Sequence, residues 1–166
     1  MLLPLTTVAL LNAAAVSSPV TTDQLPNLFV AACLDGSARI SPGDATAIGF
    51  GELPTSLRSR LGQPRSAKIW QLRGSGRAYL YLLDYASKDS DSRVCGVASE
   101  NLALRSATGA VEARVRGYVS QDPASRSTEW MKSDQGYRAL TTRAGGFTIL
   151  QVNWLRPELA EVPTKQ

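Results

Sequence analysis

Two cysteines, Cys33 and Cys95, and the absence of histidine from all 166 residues limit the chemistry open to this chain. A nucleophilic serine or thiol is usually activated by a neighbouring imidazole, so Ser-His-Asp and Cys-His arrangements are excluded. No G-x-S-x-G elbow occurs, and no serine stands three positions before a lysine to form an S-x-x-K dyad. Two cysteines without histidine cannot supply the four ligands of a structural zinc, and there is no C-x-x-C redox pair. A pair of carboxylates, as used by glycosidases, needs none of these groups. Glu52, Asp84, Glu100, Glu112 and Glu129 are the candidates for one, although nothing in their spacing places two of them in one cleft. No catalytic residue, metal or cofactor is therefore assigned.

The sulfur atoms have clearer roles. Val30-Ala31-Ala32-Cys33 spells a lipoprotein-like box, but Pro19, Asp23, Gln24, Pro26 and Asn27 separate it from any apolar run that could enter a bilayer. Leu25, Leu28, Phe29, Ala32 and Cys33 instead recur at the spacing of one helical face. Asp23 is a candidate cap, Pro26 fits the first turn, and Gly36 fits a left-handed C-terminal position. Cys95 lies in Arg93-Val94-Cys95-Gly96-Val97-Ala98, an alternating stretch that predicts a strand. One Cys33–Cys95 disulfide is the expectation, with two buried thiols as the alternative. Closing that loop stabilises a fold by ~4 kcal/mol on the chain-entropy model.

The elements that must position these residues follow in order. Leu2 to Leu11 is a short apolar run, followed by an A-x-A pattern at Ala13 and Ala15, with no ionisable side chain before Asp23. It is too short to span a bilayer and predicts a cleaved export signal, and hence a periplasmic or secreted protein. A buried N-terminal helix is the alternative, because no Lys or Arg precedes the run. Ser41-Pro42-Gly43-Asp44 predicts the start of a second short helix through Ala45 and Ile48, and Pro54 to Gly62 predicts a further helical turn or two. Ala67–Arg73 and Arg77–Tyr85 flank Gly74-Ser75-Gly76 as a hairpin, in which a plain turn is favoured over a phosphate loop.

Residues 107–119 fit both helical and strand periods, and helix is chosen because Ala, Glu and Arg fill the gaps. Ser125–Lys132, Tyr137–Arg143 and Phe147–Leu155, joined by short turns, predict an antiparallel meander. The fold expected is α+β, with short helices packed on one face of an antiparallel sheet of five to six strands and one further helix between strands. Residues 1–22 are assigned to the signal and a flexible start, 23–156 to the domain, and 157–166 to a frayed tail. Phe29, Trp70, Leu80, Leu82, Val97, Ile149 and Val152 are core candidates.

The 18 Lys and Arg exceed the 14 Asp and Glu by four, but they are scattered, which disfavours nucleic acid. No membrane span is expected. Arg73, Arg77, Tyr137 and Arg138 stand near predicted turns, where an anionic polymer or an envelope protein could be met. The combination of Phe29-x-x-x-Cys33 in an early helix, a Trp70 strand and a later Cys95-Gly96-Val97 strand resembles a group of small exported proteins of proteobacteria. The resemblance implies an exported α+β domain with an intramolecular bridge and carries over no catalytic residue. The function expected is a non-catalytic binding or inhibitor-like envelope module. The alternatives are a hydrolase built on a carboxylate pair and a structural envelope component.

Overall fold

A computed structural model describes residues 19–36, 43–86, 91–116 and 118–155. The expected export signal, the Ser41-Pro42 start of the second predicted helix and the 157–166 tail lie outside them. The fold is α+β. Helix α1 (Leu25–Phe29) continues as a π-helical turn (Val30–Leu34), and strand β1 is Ala45–Ile48. Helix α2 (Thr55–Leu61), strands β2 (Ser66–Leu72), β3 (Ala78–Ala86) and β4 (Asp91–Ser99), and helix α3 (Leu104–Arg114) follow. Strands β5 (Tyr118–Asp122), β6 (Ser127–Lys132), β7 (Tyr137–Ala144) and β8 (Phe147–Trp154) complete it. All eight strands pair antiparallel in one sheet, in the order β1-β2-β3-β4-β8-β7-β6-β5. No helix of the described residues is long and apolar enough to cross a membrane.

The expected five to six strands are corrected to eight, and the two additions are the sheet's edges, β1 and β5. Ala45 to Ile48 is strand rather than helix. Its β-branched Thr46 and Ile48 suit a pleated surface, and Gly49 leaves too few residues for a stable helix. Pairing with β2 decides the outcome, and the Arg73 N–H donates to the Asp44 carbonyl at 2.9 Å just past the ladder. Helix α3 ends at Arg114, and Val115 is already extended, so Val119 belongs to β5 and not to a helix running to 119. Val20 packs on the core, Thr22 to Gln24 form a 3₁₀ turn, and the Thr21 N–H donates to Gln24 Oε1 at 3.0 Å, so Asp23 sits inside the turn rather than capping it.

Helices cover both faces of the sheet, not one. On the first face, α1, the π-helical turn and α3 bury Leu25, Phe29, Cys33, Ala107 and Val111 against Leu80, Leu82, Cys95, Val97, Leu150 and Val152. The Cys33–Cys95 disulfide joins helix to sheet there, with the Cα atoms 5.4 Å apart and both residues buried. A buried disulfide is compatible with an oxidising compartment. On the second face, Leu53, Leu57 and Leu61 pack on Ile69, Tyr79, Tyr81, Leu83, Val94, Phe147 and Ile149. The reason lies in β3, whose first six residues, Ala78 to Leu83, are all buried. A strand apolar at both parities needs cover on both sides.

Of the core candidates, all but Trp70 are buried, and Trp70 packs half-buried at the margin of the first face. Gly96 shows how tightly the centre is filled. A Cβ there would overlap the Tyr81 ring, whose hydroxyl donates across the sheet to Gln151 Oε1 at 3.0 Å. Burial pushes the Tyr81 hydroxyl pKa far up, so it remains a neutral donor.

Candidate binding cleft

Helix α2 is pinned at both ends over the second face. The Ser56 hydroxyl donates to the Gly145 carbonyl at 3.0 Å, and the Tyr85 hydroxyl donates to the Leu61 carbonyl at 2.5 Å. Burial pushes the Tyr85 pKa up to about 12. With Leu57 and Leu61 buried below, Arg60 is left exposed on the flank beside β5–β7.

Strand register builds the floor beneath it. Leu140, Glu129 and Ser120 form one cross-strand row, and Thr142, Ser127 and Asp122 form the next. These six residues, with Arg60 from α2 and Ser125 from the β5–β6 turn, line an open cleft of about 360 Å³. That volume falls within the range of small-ligand sites, ~300–1,000 Å³. Leu140 is the single apolar residue of the lining.

The charges in the cleft are arranged unequally. Asp122 is engaged by its own turn: Ser125 Oγ donates to Oδ2 at 2.6 Å and the Ala124 N–H donates to Oδ1 at 3.0 Å. The Ser125 hydroxyl, with the backbone N–H beside it, holds the Asp122 carboxyl below its ordinary range, so it acts as an acceptor and not as a proton donor. Glu129 meets Arg138 at 3.7 Å, too long for a hydrogen bond. Among the described residues no ion pair joins Arg60 to Asp122 or Glu129. Opposite charges therefore face one space without closing it.

The residues singled out in the sequence are distributed otherwise. Arg73 donates to Thr46 Oγ1 at 3.2 Å, and Arg77 pairs with Glu100 at 2.7 Å and lies over the Phe147 ring at 5.8 Å. Both stand at the end of the sheet where Ala78, Ser99 and Thr148 align. Tyr137 and Arg138 stand at the opposite end, where Arg93, Trp154 and Tyr137 align. These two also differ from each other. Tyr137 is buried against Trp154 on the disulfide face, its ring 4.8 Å away and its hydroxyl pKa raised by burial, whereas Arg138 shares the α2 face with Glu129.

The five carboxylate candidates are likewise apart. Glu52 accepts the Gly49 N–H at 3.0 Å, and Asp84 pairs with Arg93 at 2.7 Å. Glu100 holds Arg77, Glu112 is exposed on α3, and Glu129 alone lines the cleft. The second carboxylate there, Asp122, was hidden by the assignment of residues 107–119 to a helix. The β6 sequence carries no clear signal, since Ser127, Glu129 and Met131 on one face and Thr128, Trp130 and Lys132 on the other are each mostly polar. No family model, curated protein or solved structure matches this chain.

Proposed function

We propose that this chain is an exported envelope protein acting as a non-catalytic binding module, with the β5–β7 cleft as its binding surface. The observation that carries this is the unequal cover of the α2 face. Its apolar half lies under α2, and its polar half is left open, lined by the Arg60 guanidinium, without an ion pair among the described residues, and by the Asp122 and Glu129 carboxylates. A cleft of this kind presents converging donors and acceptors on neighbouring strands. The disulfide and the resemblance to exported proteobacterial proteins support a periplasmic or secreted location.

The hydrolase reading gains Asp122 and Glu129 on adjacent strands, but glycoside hydrolysis needs a carboxylic acid that donates its proton. Asp122 is held in its ionised form by Ser125, which suits the base or nucleophile of such a pair and not its acid, so that reading would require Glu129 to donate the proton. The test is hydrogen exchange of the oxidised protein with and without a clarified bacterial envelope extract. Slower exchange in β5, β6 and β7 is expected, and unchanged exchange throughout the chain would overturn the proposal.

A further inference from the structure

We propose that the β5–β7 cleft takes a neutral saccharide. This rests on the cleft being a binding site, and it names the ligand class from the chemistry of the lining. Half of the eight lining residues are hydroxyl side chains: Ser120, Ser125, Ser127 and Thr142. Ser125 already donates to Asp122 and is bonded to Ser127, and buried Thr142 donates to the Ser125 carbonyl, so these three offer chiefly acceptor lone pairs to a sugar hydroxyl, and Ser120 offers both a donor and an acceptor. Arg60 offers donors only, and the Asp122 carboxylate offers acceptors only, with Glu129 beside it in the lining. A sugar hydroxyl satisfies either kind, so a run of them bridges the space that Arg60 and the carboxylates leave open.

The distribution of free bonding capacity narrows the pose. Asp122 already receives two hydrogen bonds from its own turn, so it forms a fixed end wall. Glu129 sits in the middle strand with its carboxylate beyond hydrogen-bond distance of Arg138, and it faces the cleft beside Ser120 and Leu140. Glu129 and Arg60 are thus the groups with bonds still to make, and the pair suits hydroxyls presented on one edge of a ring. Leu140 closes the floor beneath them and is itself buried. A strongly charged ligand fits less well, because the lining carries both signs and its site is open to water and salt.

The experiment is a titration of the ¹⁵N-labelled, oxidised chain with maltotetraose, cellotetraose and N-acetylchitotetraose, each up to ~10 mM, a range that detects millimolar affinities. Glycylglycine is run in parallel as a zwitterion. At least one saccharide is expected to shift the amides of Ser120, Glu129 and Thr142 with saturation. Glu129→Gln and Arg60→Ala, both with dispersed spectra retained, are each expected to raise Kd about tenfold, the loss of one hydrogen bond to a charged group.

No shift with any of the three saccharides would overturn the proposal. So would shifts confined to the Arg73–Arg77 end, saccharide binding that both variants leave unchanged, or shifts in the cleft with glycylglycine alone. Should the envelope extract slow exchange in β5–β7 while the saccharides leave the spectrum unmoved, the ligand class is wrong and the binding-module reading stands. Should the extract change nothing, that reading falls as well.

Discussion

One row of residues crosses all eight strands on the α2 face: Ile48, Ile69, Tyr81, Gly96, Gln151, Leu140, Glu129 and Ser120. Its first half is apolar and lies beneath or beside α2. Its second half turns polar at Gln151, where the Tyr81 hydroxyl is received, and ends open to solvent. The backbone is continuous across this change, so the difference comes from side chains and cover alone. A strand buried on both faces is held by apolar area removed from water. In the outer wing, β5 and β6, Trp130 is the one buried side chain among the described residues, so the wing gives up most of that contribution and holds polar groups toward solvent.

The contrast makes stability effects unequal, and each expected effect offers a way to break it. The largest belongs to the staple: replacing both Cys33 and Cys95 with Ala is expected to cost ~4 kcal/mol of the urea-unfolding free energy. Next, Leu57→Ala under α2 opens a cavity over the apolar half, with an expected loss of about 3 kcal/mol by the same measurement. Gly96→Ala forces the Tyr81 ring aside, and the strain of overpacking is expected to cost about 1–3 kcal/mol. A loss as large for Ser127→Ala in the wing would erase the distinction, since that surface change is expected to stay within ~0.5 kcal/mol.

Acid has a smaller and directional effect. Asp84, bonded to Arg93 and to Ser66, is held below its ordinary carboxylate pKa chiefly by the Arg93 hydrogen bond. A carboxyl depressed in the folded state contributes stability that is fully present above its unfolded value, near pH 4, and is lost as pH falls through the folded value. Wild type is therefore expected to lose stability below about pH 4 more steeply than Asp84→Asn. The gap stays modest because a third of the side chain is exposed and water screens the pair. Parallel curves in a pH series of thermal melts would remove Asp84 from the account.

What the sequence disclosed follows from where the energy is concentrated. Strand β3, the Gly74–Gly76 hairpin, the β6–β8 meander and the meeting of Cys33 with Cys95 were legible because long apolar runs and glycine turns speak locally. The burial of both parities in β3 also stood in its sequence, since Tyr79, Leu80, Tyr81, Leu82 and Leu83 leave no polar face. It implied a helix on each side.

The two edges were illegible. Ala45–Ile48 is short and follows a motif that mimics a helix start, and Val111, Val115 and Val119 satisfy both periods across the α3–β5 junction. Long-range pairing settles such segments, and it leaves no local mark. The cleft inherited that blindness: Ser120 and Asp122 lie on β5, and Arg60 reaches them from 60 residues earlier in the chain than Ser120.

The measurement that bears most directly on a two-faced, stapled core holding out a thinly covered wing is native-state hydrogen exchange in increasing denaturant. Amides of β3, β4 and β8 are expected to open only with global unfolding, while those of β5 and β6 open at lower free energy with little denaturant dependence. Reduction of the disulfide should lower the first set and leave the second nearly unmoved. Uniform opening free energies across all eight strands, or a wing as protected as the centre, would contradict it.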